Sequence, residues 1–166
     1  VSRINNEFFK NFPEIYLKPS KVNKFLMKYT NEVEKEIKNK FLKLKLDKNF
    51  VIYANGGFGR KEIFPISDID ISIVEKNKSK DFKNLEEFIS FLWDQGYKVG
   101  HSVRTISDIK KISKSDLKEY TSYLTRRPII STNEMDKKIN YALSTIWTKN
   151  NFYNACLLYT SPSPRD

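Results

Sequence analysis

Asp68 and Asp70, two aspartates separated by one apolar residue, follow the pair Gly56-Gly57 by about ten residues. On an extended strand, residues i and i+2 point the same way and lie roughly 7 Å apart, from a rise of about 3.3 Å per residue. Both carboxylates can therefore serve one cationic centre while Ile69, Ile71 and Ile73 turn into a core. Like charges this close repel, and a fold that sets them on one face expects a cation or donors to satisfy them. Hard carboxylate oxygens favour Mg²⁺, which keeps several waters and is completed by substrate phosphates. Taken alone, an Asp-x-Asp pair is equally at home in a turn or at a helix N-cap. An EF-hand is excluded, because the position that needs Gly is Ile73 and the twelfth is Ser79 rather than Glu.

The glycine pair lets the backbone turn sharply and bring amide N–H groups up to an anion, with no Cβ in the way. Two familiar phosphate loops do not fit. Gly-x4-Gly-Lys-Ser/Thr is absent, and a dinucleotide loop read from Gly57-x-Gly59 meets Glu62 where it needs Gly or Ala. His101 and Cys156 are the lone members of their types, so neither a multi-cysteine zinc site nor an intramolecular disulfide can form. Metal binding must rest on oxygen.

These residues need elements to hold them. The run 50–54, FVIYA, reads as a buried strand that breaks at Asn55-Gly56-Gly57, and a second strand follows at Ile69–Val74 with Asp68 at its edge. Before them a long helix starts at Pro19-Ser20, its apolar stripe running through Val22, Phe25, Leu26, Tyr29, Val33, Ile37 and Phe41. A helix over Asp81–Gln95 should turn Phe82, Leu85, Phe88, Ile89 and Leu92 inward and stop at Gly96. Tyr97–Thr105 reads as a third strand. Asp116 and Glu119 suggest a capping box for a helix through Arg127, stopped by Pro128, and a last helix spans about Thr132 to Thr148 with Met135, Ile139, Leu143, Ile146 and Trp147 as its stripe.

The 166 residues allow one domain with an extension. Thirty Lys and Arg against twenty Asp and Glu give a formal charge of +10, which favours polyanions in general but is also explained by lysines on solvent faces of helices. The longest apolar runs are far too short to span a bilayer, so no membrane partner is expected and the reading is cytoplasmic. The first residue is not Met, and the last ten, LLYTSPSPRD, carry no periodicity and read as a non-native tail, so a longer natural protein is expected.

Strand, Gly-Gly turn, about ten residues, then Ser67-Asp68-x-Asp70 on a second strand resembles the DNA polymerase β-like nucleotidyltransferases. The resemblance implies an α/β (α+β) fold, a small mixed sheet flanked by helices with helical extensions at both ends. It divides the chain into an N-terminal helical segment (1–48), a nucleotidyltransferase domain (49–130), the start of a helical extension (131–156) and the tail (157–166). More closely, GGFGRKEIFPISDIDISI (56–73) and LWDQGYKVGHSVRT (92–105) resemble two blocks of the N-terminal domain of the bacterial PII uridylyltransferase/uridylyl-removing enzymes.

What this implies is specific. Asp68 and Asp70 would be catalytic and hold two Mg²⁺ ions; Gly56 and Gly57 would give backbone donors to the phosphates of UTP. Ser67 would orient the pair or touch a phosphate, and Arg60 and Lys61 would neutralise the leaving pyrophosphate. Ser102 and Arg104, on one face of the third strand, would meet the nucleotide, with His101 as a possible auxiliary. His101 and Arg104 could share a face only through a bulge. The third strand carries no carboxylate between Tyr97 and Thr105, which leaves Asp116 as the candidate third ligand. Thr125 stands where the family has Glu. The acceptor would be a tyrosine of the PII signalling protein, and nucleic acid is not expected as a partner. The alternatives are another nucleotidyltransferase of the superfamily and a non-catalytic basic module that binds nucleotide or RNA.

Overall fold

A computed structural model describes Lys10 and residues 19–76 and 82–160. Asp81, the expected start of a helix, and residues 161–166 of the tail lie outside the described residues. Helix α1 (Pro19–Lys43) presents Phe25, Leu26, Tyr29, Val33, Ile37 and Phe41 to the core, as its three- and four-residue spacing predicts. A short 3-10 turn over Leu46–Lys48 leads into β1 (Phe50–Ala54). A single helical turn, α2 (Gly56–Gly59), precedes β2 (Ile69–Glu75). Helix α3 (Phe82–Asp94) crosses over to β3 (Val99–Arg104), which lies parallel to β2. Helices α4 (Ile106–Ser115) and α5 (Leu117–Leu124), strand β4 (Arg127–Ile130), and helices α6 (Asn133–Ser144) and α7 (Lys149–Thr160) complete the described chain.

The four strands form one mixed sheet in the order β3-β2-β1-β4, with β1 antiparallel to both β2 and β4. All five residues of β1 are buried because it is central and covered on both faces, which is why it reads as an unbroken apolar run. Phe50, Ile52 and Ala54 join α1, α3 and the odd-numbered isoleucines of β2 in one core. Val51, Tyr53 and Val74 face a second core made by Ile109, Tyr120, Tyr123, Met135, Ile139 and Leu143 from α4, α5 and α6. The molecule is thus an α/β fold with a helix layer on each face of the sheet, as expected.

Several local expectations are corrected. Phe82 is the first residue of α3 and is 49% exposed, because the inward stripe begins only at Leu85, one turn further on. The helix expected through Arg127 ends at Leu124, and Arg127–Ile130 instead pairs with β1 as an edge strand. Pro128 is compatible with that edge, where one face of the backbone has no strand to bond, and the register shifts between Ile52 and Tyr53 beside it. Helix α4 was not foreseen, although Thr105 and Asp108 form a reciprocal capping box at its start. The helix expected to reach about Thr148, α6, ends at Ser144, and a further helix, α7, runs through residues 157–160, the first part of the expected tail. Among the described residues, no helix is long and apolar enough to cross a membrane.

Candidate functional site

The end of the sheet where β1 stops and β2 begins is built in rungs. Asn55 follows β1, and its backbone N–H donates to the Asp70 carbonyl at 2.9 Å. On the other side Asp70 pairs with Gly100, and one rung on, Ser72 pairs with Ser102. Asp70, Ser72, Gly100 and Ser102 therefore face the same side of the sheet, towards α5, while Ile69 and Ile71 go to the opposite core. A cleft of about 550 Å³ lies there, floored by these residues with Asn55 and Gly56, and walled by Lys118, Glu119, Thr121, Ser122 and Thr125.

Asp70 occupies space that only glycine leaves open. A Cβ on Gly100 would come within 2.6 Å of its Oδ1, and a Cβ on Gly56 within 3.0 Å of its Oδ2. Gly56 also takes φ +52°, a left-handed conformation that glycine adopts without cost. Asp70 is exposed as a residue, yet the partial burial of its carboxyl, and then the neighbouring Asp68 carboxylate, push that group above its ordinary value.

The residues fit a hard divalent cation on chemical grounds: the Asp70 carboxylate, close enough to Asp68 to feel its charge, with the hydroxyls of Ser72 and Ser102 one rung away, while Asp68 itself lies just ahead of β2 and is not among the residues lining the cleft. Among the described residues, no three of His, Cys, Asp and Glu converge on one point, so the pair has no third such partner. Asp116 does not join it: its side chain accepts from the amides of Lys118 at 2.8 Å and Glu119 at 3.2 Å, capping α5. Glu119 does not complete the expected box, because its carboxylate is spent on Arg104 at 2.5 and 3.1 Å.

The glycine turn follows directly. Gly59, Arg60 and Glu62 donate back to the carbonyls of Asn55, Gly56 and Gly57, whereas the amides of Gly56 and Gly57, as in the first turn of any helix, have no carbonyl behind them. Asn55 makes no side-chain cap on the turn; its Nδ2 donates to Ser72 Oγ at 2.5 Å. Beyond the turn, Arg60 is exposed and pairs with Glu62 at 2.9 Å, and Lys61 Nζ reaches Asn31 of α1 at 3.1 Å. Ser67 and Asp68 are exposed at the start of β2, next to Ile66, which takes φ +79° although β-branched and is 61% exposed.

On β3, Ser102 and Arg104 share a face, as alternation predicts, and no bulge interrupts the pairing with β2. Ser102 reaches the cleft, but Arg104 is turned to Glu119 and to Tyr123 Oη at 3.3 Å and does not line it. The His101 side chain belongs to the other face, where its ring meets Trp93 edge-on at a centroid distance of 5.9 Å. Sequence reasoning missed Asn55, Ser72, Gly100 and the α5 wall. Ser72 continues the two-residue period of Asp68 and Asp70 and could have been found; the others depend on which strand or helix lies opposite.

No family model matches the chain. It is similar over part of its length to enzymes called bifunctional uridylyltransferase/uridylyl-removing enzyme. That of Haemophilus influenzae (strain PittEE) is 37% identical over 113 residues, covering 63% of this chain and 12% of the relative. Those of Aliivibrio fischeri (strain MJ11) and Acinetobacter baumannii (strain AYE) are 33% and 36% identical over 111 and 107 residues. The chain spans only 12–13% of the length of these curated relatives. A solved structure described as "Crystal structure of the toxin-antitoxin with AMP-PNP" aligns at 17% identity with a TM-score of 0.42, covering 73% of this chain and 90% of that one, a likeness too slight to argue from.

Proposed function

We propose that this chain, similar over part of its length to the bifunctional uridylyltransferase/uridylyl-removing enzymes, carries their nucleotidyl transfer: UMP from UTP to a tyrosine of the PII signalling protein, with release of pyrophosphate. The observation that supports it best is the Asp70 carboxylate seated between Gly56 and Gly100 at the floor of a cleft of about 550 Å³, beside the glycine turn. A volume of that order suits a nucleotide.

In this reading Asp68 and Asp70 would hold two Mg²⁺ ions, which would supply charge stabilisation to the attacking and leaving oxygens. The Gly56 and Gly57 amides receive the phosphates, as unpaired first-turn donors suit an anion. Arg60 and Lys61, which follow the turn in sequence, would neutralise the leaving pyrophosphate, and Ser67 and Ser102 would support the carboxylates. The tyrosine oxygen forms a bond to the α-phosphorus, the bond to the β-phosphate bridge breaks, and the hydroxyl proton passes to solvent. Lys118, Thr121 and Ser122 of α5, with Thr125 just after it, would line the nucleotide's side of the cleft. We place residues 49–130 as the transferase unit and the protein in the cytoplasm, where UTP is found.

The test uses the chain with Mg²⁺, PII and each of the four α-labelled nucleoside triphosphates in turn. Label passing from UTP to PII, and lost in Asp68→Asn and Asp70→Asn, is expected. Mg²⁺-dependent binding without transfer to PII would point to another acceptor. RNA binding that is steeply salt-dependent and indifferent to Mg²⁺ would favour a non-catalytic basic module instead.

A further inference from the structure

Four residues of helical turn cannot hold themselves in place, since the C-terminal carbonyls of any helix lack intrahelical partners. Here the Gly56 and Gly57 carbonyls accept from the Arg60 and Glu62 amides, and the last two, of Phe58 and Gly59, accept from one side chain of β4, Phe58 O sharing with the Lys61 amide at 3.2 Å. Arg127 Nε donates to Gly59 O at 2.8 Å and Nη2 to Phe58 O at 3.2 Å, and its guanidinium lies 6.0 Å from the centre of the Phe58 ring. The remaining edge of the fork faces α1, where Nη1 lies 2.8 Å from Glu34 Oε2, an ion pair by distance. Glu34 is only 7% exposed, on the face of α1 that also carries Val33 and Ile37, and its Oε1 pairs with Lys38 at 2.9 Å. A carboxylate at such a place is costly unless paired. The pairing is therefore unlike the exposed Arg60–Glu62 contact, and it reaches from the edge strand through the glycine turn to the N-terminal helix.

We propose that Arg127 is the positioning residue for the glycine turn and that Glu34 orients it, so that helix α1 is part of the nucleotide site rather than an appended segment. The proposal rests on the reading that this turn carries the phosphates. Arg127 pairs with the last residue of β1, Ala54, and the turn follows Ala54 by a single residue. Its fork thus ties the turn to the strand on which the Asp70 rung is built. Lysine keeps the charge beside Glu34 but not the planar fork, and cannot donate to both carbonyls from one rigid group.

The experiment compares the full 166-residue chain with Arg127→Lys, Arg127→Gln and Glu34→Gln by three readouts: amide exchange at Gly59 and Arg60, the affinity for UTP with Mg²⁺, and the affinity for Mn²⁺ alone. We expect Arg127→Lys to weaken UTP binding by roughly tenfold or more, the order of a lost charge-assisted hydrogen bond, and to speed exchange at Gly59. Mn²⁺ affinity should stay within about twofold, since the carboxylates are not touched. That split would not follow from general loosening, which weakens both ligands together. Glu34→Gln should show the same split to a smaller degree, and the double variant should be no worse than Arg127→Gln. If Arg127→Gln does not fold, Arg127→Lys and Glu34→Gln carry the test. Unchanged exchange at Gly59 together with unchanged UTP affinity in Arg127→Lys would overturn the proposal. If the unaltered chain binds no UTP, the nucleotide reading fails by itself, and exchange at Gly59 and Arg60 then decides the clamp: faster supports it, unchanged overturns it.

Discussion

A methyl group on Gly100 would stand 2.6 Å from Asp70 Oδ1, so Gly100→Ala should displace the carboxylate rather than unfold the strand. Titration with Mn²⁺ should show affinity lower by about tenfold or more, with a small change in Tm. Asp70 itself gives a second prediction, of opposite sign for stability. Its carboxyl lies above the ordinary value in the fold, so the stability it permits is full while it is protonated and is lost as pH rises through the raised value. At neutral pH, Asp70→Asn should therefore leave Tm unchanged or higher, and Mg²⁺ should raise Tm in the unaltered chain only; scanning calorimetry with and without the ion checks both. That Asp70 and the first glycine of the turn meet at the cleft was legible because a two-residue period and a missing Cβ are local facts; Asp68, exposed just ahead of β2, does not line it. Gly100 was not, because its meaning lies in Asp70, the residue across from it in the neighbouring strand. Arg104 shows the same limit: alternation gives its face, but not that Glu119 claims it first.

Among the elements, α5 offers a clean distinction between cap and ligand. Asn caps as well as Asp, so Asp116→Asn should change neither stability nor Mn²⁺ affinity, whereas Asp116→Ala should cost about 1 kcal/mol in urea unfolding and still spare the metal. A fall in metal affinity with Asp116→Asn would restore it as a ligand. Helix α1 carries a pH prediction. Burial tends to raise the Glu34 carboxyl, but Lys38 and Arg127 outweigh it and hold it below the ordinary value. The stability this provides is present above the ordinary glutamate pKa and is lost as pH falls through the lowered one. Glu34→Gln should accordingly be less stable at neutral pH and lose less on acidification, measured by urea unfolding from about pH 6 to about pH 3. Strand β1 was legible because burial on both faces leaves no polar position in it. Strand β4 was not: RPII is four residues long, and Pro128 reads as a stop until the edge position that tolerates it is known. Helix α4 had its signal in Thr105-x-x-Asp108 and in Ile106, Ile109 and Ile112 at three-residue steps.

For the molecule as a whole, one sheet between two helix layers was foreseeable, since a continuous apolar strand between amphipathic helices has few other solutions. The cleft was only half foreseeable. Of its floor, Gly56, Asp70 and Ser102 were read from the sequence and Asn55, Ser72 and Gly100 were not, while its wall exists because α5 packs over the end of the sheet, a long-range outcome with no local mark. The formal charge of +10 suits a polyanionic ligand but does not choose one. Calorimetric titration of UTP into the chain, with Mg²⁺ and with chelator, beside the Asp70→Asn variant, tests the central claim most directly. Binding that requires Mg²⁺ and disappears in Asp70→Asn is predicted; binding of equal strength without Mg²⁺, or untouched by that substitution, would contradict it.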